Sequence, residues 1–166
     1  MDRANQYSRR NNLRISGVPE SNDEDTDSLV LSLADSIGTG LVIDEIDMSH
    51  RVDRPANHPS IVGKPRDILI KFSTYRSRQK LYKRKAQLKP RGHPHCYVND
   101  DITRQRSALL FNARKLKRDR LIQEAWSSDG NVLIKDKSGR IHQVVTDQDL
   151  DAYGNRRSYA DVTRTN

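Results

Sequence analysis

The clearest β-strand pattern in this chain of 166 residues is RDILIKF at residues 66–72. It is rich in branched and aromatic apolar residues, and it follows a loop-forming stretch at residues 55–64 that contains Pro55, Pro59 and Gly63. A second pattern, NLRISG at residues 12–17, alternates apolar and polar side chains as a half-buried strand does. The two stretches predict two strands of one sheet-containing domain.

Working outward from these strands, the chain alternates helix and strand signals. Residues 25–38 predict a helix, because a capping Asp25 or Thr26 precedes apolar residues spaced near 3.6 and Gly38 ends the run. Residues 46–52 predict a weak strand, residues 74–88 a basic helix and residues 96–98 a short strand. The resulting order βαββαβ predicts a ferredoxin-like arrangement, the one used by RNA recognition motif (RRM) domains, with two helices on one face of a four-stranded antiparallel sheet.

A second, smaller unit follows residue 100. Thr103 can cap a long basic helix that runs to residue 121, strands are predicted at residues 131–135 and 140–145, and a short helix at 146–153. We therefore predict an α+β protein with an RRM-like domain at 12–100 and a small domain at 101–153. Residues 1–11 are expected to form a disordered basic arm and residues 154–166 a disordered tail.

Charge is strongly segregated along the chain. Residues 20–53 hold ten acidic residues and one Arg, whereas residues 54–121 hold nineteen Lys and Arg and four Asp. Such a basic stretch favours a polyanionic partner, and nucleic acid is the first candidate. The single Cys96 excludes an intramolecular disulfide, and no apolar run reaches membrane-spanning length, so we expect an intracellular protein with no membrane partner.

Reading of bases by stacking is not expected on the predicted sheet. With Phe72 as the last buried residue of its strand, Asp67 and Leu69 fall at the stacking positions, and the first strand offers Arg14 and Ser16. Phosphate contacts then have to supply the affinity. The candidate contacts are Arg14, Arg51, Arg54, Lys64, Arg66, Lys71, Lys80, Lys83, Arg84, Lys85, Arg104, Arg106, Arg114 and Arg118.

Several motifs together resemble a known family. NLRISGVPE at residues 12–20, HRV at 50–52 and PRDILIKF at 65–72 resemble the RRM-like domain of the first open-reading-frame protein of LINE-type (non-LTR) retrotransposons. Residues 103–121, Trp126, DGNVLIKDKSG at 129–139 and Asp149-Leu150 are similar to the small C-terminal domain of that protein and of related baculovirus proteins.

The resemblance implies single-stranded RNA binding with little sequence preference, and nucleic-acid chaperone activity in a ribonucleoprotein particle in the cytoplasm or nucleus. Single-stranded DNA is expected as a second ligand. Arg51, Arg54, Lys71 and Lys85 match basic positions of the family, and one family arginine corresponds to Arg104, Arg106 or Arg114. No coiled coil or zinc knuckle is encoded, so the means of any self-association stays open.

An alternative interpretation is an RRM-like protein-interaction adaptor that recruits a partner through the acidic first helix and does not bind RNA. Lys83, Arg84 and Lys85 could equally serve as a nuclear-import patch. His93, His95 and Cys96 favour a turn over a metal site, because no second ligand cluster occurs at a usual spacing.

Catalysis has no support in the sequence. Asp100 and Asp101 are interpreted as residues that favour a helix start, and Trp126 is expected to pack in the core of the small domain. Neither a nucleophile elbow nor a Walker-type glycine loop occurs. We therefore expect a binding protein without a cofactor or metal.

Overall fold

The computed structural model describes residues 1–53 and 63–154, and it shows a mixed α+β protein with antiparallel sheets. The described residues form five α-helices and seven β-strands. The chain divides into a four-stranded unit, Ser8–Asp101, and a three-stranded unit made of Met1–Tyr7 together with residues from Ile102 onward. The change of unit after residue 101 lies beside the predicted domain boundary.

The N-terminal segment corrects a prediction. Instead of a disordered arm, helix α1 (Asp2–Ser8) forms, and its Gln6 is buried. The Gln6 side-chain oxygen accepts a hydrogen bond of 2.9 Å from the backbone N–H of Thr103, while the Asp2 carboxylate accepts from the Thr103 hydroxyl and from Arg106 Nε. Polar contacts hold this helix in place, so apolar periodicity could not reveal it.

The four-stranded unit has the element order βαββαβ. Its sheet runs in the order β2-β3-β1-β4, and every neighbouring pair is antiparallel. The elements are β1 (Asn12–Ser16), α2 (Thr26–Ser36), β2 (Ile46–Arg51), β3 (Ile68–Phe72), α3 (Tyr75–Tyr82) and β4 (Tyr97–Asp100).

Local sequence explains these elements. The Asp25 carboxylate accepts from the backbone N–H of Asp27 and caps α2, whose apolar side chains join the inward residues of the strands in one core. Thr74 caps α3, which ends at Tyr82, and a single 3-10 turn at Lys85–Gln87 replaces the rest of the predicted basic helix. The core residues are Leu13, Ile15, Val18, Val30, Leu33, Ala34, Ile37, Ile46, Ile68, Ile70, Phe72, Leu81, Leu88 and Val98.

Gly17 ends β1 where the chain needs a close approach. Its φ is +85°, and a Cβ there would lie 1.9 Å from the carbonyl oxygen of His95. Only glycine fits both the positive φ and this contact. The residue therefore lets the turn before β4 pack against the end of β1.

The three-stranded unit contains α4 (Arg104–Arg118), β5 (Glu124–Ser128), β6 (Asn131–Lys135), β7 (Ile141–Val144) and α5 (Asp147–Gly154). Its sheet order is β5-β6-β7. The predicted cap is present, since Thr103 Oγ1 accepts from the backbone N–H of Arg106. The predicted hairpin of β6 and β7 and the short final helix are also present, whereas β5 was not predicted. The core residues are Leu109, Leu110, Ala113, Ile122, Ala125, Val132, Ile134, Val144 and Leu150.

Three predictions fall wholly or partly outside the described residues. These are the loop at residues 55–64, of which only residues 63 and 64 are described, the phosphate contact at Arg54, and the tail from residue 155 onward. Within the described part of the chain, no helix combines the length and the apolar character needed to cross a bilayer.

Candidate nucleic-acid interface

The open face of the four-stranded sheet is defined by the strand register. Leu13, Ile15, Ile68, Ile70 and Phe72 are buried as expected, which turns their neighbours in β1 and β3 to the other face. The residues of this open face are Asn12, Arg14, Ser16, Met48, His50, Leu69, Lys71, Tyr97 and Asn99.

Tyr97 is the one Phe, Tyr or Trp residue on this open face. Tyr97 of β4 pairs with Ser16 and is 60% exposed, while the outward positions of β1 and β3 carry no aromatic side chain. The predicted lack of a stacking platform on these two strands therefore agrees with the register. Tyr97 was missed because the RRM pattern directs attention to the first and third strands.

The cations of the open face are paired with carboxylates. Arg14 lies 3.5 Å from Asp67 and 3.3 Å from Asp101, and Lys71 Nζ lies 3.3 Å from Asp47. These partners reduce the positive potential that a phosphate would meet. The open face is thus close to charge-balanced despite its basic residues.

Two more predicted phosphate contacts of this unit are paired. Arg66 Nε lies 3.2 Å from Glu20, whose pKa is lowered by hydrogen bonds from the Arg66 backbone and side chain. Lys80 Nζ lies 2.6 Å from Glu45, and this contact holds the pKa of Glu45 below its usual range. Lys64, by contrast, is exposed, and no salt bridge joins it to a described carboxylate.

Arg51 is a buried structural residue in this structure, which corrects its expected role as a phosphate contact. All five N–H donors of its guanidinium are used. Two bind the Glu24 carboxylate, at 2.7 and 3.1 Å, and three bind backbone carbonyls at 2.7–2.9 Å. The Arg51 side chain is 5% exposed, so a phosphate cannot reach it without local unfolding.

A second buried ion pair was also missed. The Arg78 guanidinium of α3 lies 5.5 Å from the Tyr75 ring centroid and 4.8 Å from that of Tyr82, and its Nη2 is 2.5 Å from the Asp100 carboxylate. Asp101 accepts hydrogen bonds from Arg9, Asn12 and Arg14. Both aspartates therefore bind arginines of the four-stranded unit, which corrects their interpretation as helix-start residues.

The segment Lys83–Arg91, here called the basic segment, differs from the sheet. No acidic residue occurs between Ser73 and Asn99, although eight basic residues do. Lys83 and Arg84 are exposed, and Lys85 Nζ lies 4.0 Å from the Tyr82 ring centroid. Within residues 1–53 and 63–154, no carboxylate forms a salt bridge with a cation of this segment. These cations are Lys83, Arg84, Lys85, Lys89 and Arg91.

The outer face of α4 also carries exposed cations that form no salt bridge with a described carboxylate. The buried residues Leu109, Leu110 and Ala113 define the inner side of the helix, and the residues within about 90° of the opposite direction, at roughly 100° per residue, are all exposed. Four are cations, and no salt bridge joins them to a carboxylate of the described residues. This outer face consists of Arg104, Ser107, Ala108, Phe111, Asn112, Arg114, Lys115 and Arg118.

Arg106, predicted with these residues, lies elsewhere on the helix. Its Nε donates to Asp2 at 2.8 Å and its Nη1 donates to the Gly130 carbonyl at 2.7 Å. Hydrogen bonds from Thr103 and Arg106 lower the pKa of Asp2. Arg106 therefore connects α4 to the start of α1 and to the turn before β6 within the three-stranded unit, and it is not part of the outer face.

Two further interpretations can be compared with the geometry. His93–Cys96 form a turn before β4, with a hydrogen bond of 3.2 Å from Cys96 N to His93 O, as expected. The described residues contain no group of three His, Cys, Asp or Glu that could hold a metal ion. Trp126, in contrast, is partly exposed and pairs with Leu133, outside the core of its unit, so the expected core packing was wrong.

No known protein-family model matches the chain, and neither does any curated protein.

Proposed function

We propose that this protein binds single-stranded nucleic acid, RNA in the first place and single-stranded DNA as well, through the phosphate backbone. The outer face of α4 and the basic segment are the binding surfaces. The observation that carries the proposal is the exposure of four cations on one face of α4, none in a salt bridge with a described carboxylate. Unpaired surface cations repel one another, and a polyanion relieves that repulsion.

The chemistry of this surface favours binding that ignores sequence. Lysine and arginine contacts to phosphates fix the strand but do not distinguish bases. Because each contact is weak and exchanges rapidly, strands held in this way are screened from one another and can change partners. That behaviour is the basis of the nucleic-acid chaperone activity that we propose.

The wider assignment follows from the resemblance. We propose that the four-stranded unit is a ferredoxin-like, RRM-like domain, which its βαββαβ order and β2-β3-β1-β4 sheet support. We further propose that the chain is a retrotransposon-derived component of an intracellular ribonucleoprotein particle that acts by binding and not by catalysis.

Fluorescence anisotropy of a labelled single-stranded RNA of mixed sequence, titrated at several salt concentrations, tests the binding proposal. Log affinity should fall linearly with log salt, with a slope of about −0.7 for each phosphate neutralised on a single strand. Four cations of α4 alone predict a slope near −3, to about one unit. A strand of different sequence should give the same affinity, and weak binding near physiological salt would refute the proposal.

A protein-interaction adaptor is the second candidate, and one observation favours it. Val42 and Ile43 are 55% and 51% exposed beside Asp44, and Met48 lies next to Asp47. Exposed apolar side chains among acidic residues suit a basic, apolar peptide partner. If the adaptor function is correct, single strands will bind weakly at physiological salt, and substitution of Val42 and Ile43 will abolish partner capture.

A further inference from the structure

Phe111 is the only apolar side chain larger than alanine on the outer face of α4. It is 63% exposed, whereas the apolar residues Leu109, Leu110 and Ala113 pack in the core. A single exposed apolar residue is common on protein surfaces, so exposure alone does not indicate a function for Phe111. What distinguishes Phe111 is the set of charges around it.

Cations lie on both sides of Phe111 along the helix. Arg104 is seven residues before it and Arg118 seven residues after it, which places each about 10 Å away along the axis at ~1.5 Å per residue. The Arg118 guanidinium carbon lies 5.6 Å from the ring centroid. The helix carries six basic residues and no acidic residue.

We propose that Phe111 stacks on an unpaired base of a strand whose phosphates are held by Arg104, Arg114, Lys115 and Arg118. This inference rests on the proposed function and adds a base contact to it. A cationic surface with a central aromatic ring is the arrangement by which single strands are bound without sequence preference, because every base has a π face. Charge complementarity selects a polyanion, and the ring selects one with accessible bases.

The stacking contact predicts a preference for single strands that phosphate binding alone would not give. In a duplex the bases are stacked inside and cannot reach a ring on a helix surface. Phe111 would therefore favour single strands over duplexes, whereas the cations around it bind both. Stacking on an aromatic side chain is sequence-tolerant, so the preference would not depend on which base is present.

The test compares Phe111→Leu with the wild-type chain on two labelled oligonucleotides of equal length and phosphate number. One carries bases, and the other is abasic throughout. Leucine keeps an apolar side chain at the position but removes the ring. We expect affinity for the strand with bases to fall about tenfold, affinity for the abasic strand to change by less than about twofold, and the salt slope to stay unchanged.

Two controls make the result specific. Phe111→Tyr keeps a ring and should restore most of the affinity. Ile141→Ala alters another exposed apolar residue of the same unit, 60% exposed on β7, and should leave binding unchanged. Circular dichroism of every variant confirms that the fold is retained.

The outcomes separate this inference from the proposed function. If the wild-type chain binds neither oligonucleotide, the proposed function fails. If it binds both and Phe111→Leu lowers the two affinities equally, or neither of them, the stacking contact is refuted while phosphate binding stands. A change of oligomeric state in Phe111→Leu, measured by light scattering, would likewise overturn the inference in favour of a self-association surface.

Discussion

The open face of the four-stranded sheet and the outer face of α4 both carry basic residues, but only those of the second form no salt bridge with a carboxylate of the described residues. On the sheet, Asp67 and Asp101 flank Arg14, and Asp47 contacts Lys71. On the outer face of α4, four exposed cations stand on a helix that has no acidic residue. The sequence therefore shows which residues are basic, whereas the structure shows which of them form salt bridges. Only a cation without a carboxylate partner is readily available to bind a phosphate.

The largest effect is expected on the free energy of unfolding when the buried structural cation Arg51 is replaced. Arg51→Met removes five hydrogen bonds and leaves Glu24 and buried carbonyls without their donor. We expect the free energy of unfolding to fall by about 3–5 kcal/mol, measured by urea denaturation. Arg84→Met, at an exposed position, should change it by less than ~0.5 kcal/mol. Equal effects of the two changes would contradict the structural role of Arg51.

The next largest effect is expected on single-strand affinity, and it compares the cations of the outer face of α4 with the paired cations of the four-stranded unit. The triple change Arg104→Gln, Arg114→Gln and Arg118→Gln should weaken single-strand binding about a hundredfold at low salt and reduce the salt slope by about 2. The matched control changes three paired cations, Arg66, Lys71 and Lys80, to Gln. It should weaken binding by less than about fivefold, because a phosphate would first have to displace a carboxylate. If the control loses as much affinity, the distinction between the faces is wrong.

A smaller effect is expected when carboxylates that pair with cations of the four-stranded unit are removed, because those cations then become available to phosphates as on the outer face of α4. Asp47→Asn and Glu20→Gln remove the carboxylates beside Lys71 and Arg66. The released cations should raise single-strand affinity about three- to tenfold at low salt and increase the salt slope by about 1. Anisotropy titrations against the wild-type chain measure both quantities. An unchanged slope would mean that the open face does not contact the strand.

The smallest effect concerns pH. The Lys80 contact lowers the pKa of Glu45 in the folded state, so this pair contributes stability above the ordinary carboxyl pKa and loses it as pH falls through the lowered value. Thermal unfolding below about pH 4.5 should show a Tm decrease that Glu45→Gln reduces by about 2 °C. No difference between the variant and the wild-type chain would show that the pair does not contribute to stability.

Much of the fold was predictable because its signals are local. Alternation placed Leu13, Ile15, Ile68, Ile70 and Phe72 in the core, and caps located the starts of α2 and α4. Strand β5 was not predictable from its sequence, EAWSS, which lacks an apolar alternation and is held by pairing with β6. Helix α1 was missed for a similar reason, because its partners Thr103 and Arg106 lie about a hundred residues away.

The residues of the candidate site likewise divide into those with a local sequence signal and those whose role depends on partners distant in the sequence. The exposure of Arg104, Arg114 and Arg118 follows from helical periodicity, so the sequence could indicate it. The burial of Arg51 could not be predicted, because its carboxylate partner is Glu24, 27 residues earlier. Phe111 could have been found from the sequence, since it falls on the polar side of a strongly amphipathic helix.

The most direct test of the central claim is the response of each arginine to a short single-stranded RNA, followed by the Nε–H resonances in two-dimensional NMR. The account predicts that shifts concentrate on Arg84, Arg91, Arg104, Arg114 and Arg118, the arginines of α4 and the basic segment that form no salt bridge with a described carboxylate. Arg14, Arg51, Arg66 and Arg78, which contact carboxylates, should shift little. Large shifts of the Arg14 and Arg66 resonances, together with unchanged resonances of the α4 arginines, would contradict the account.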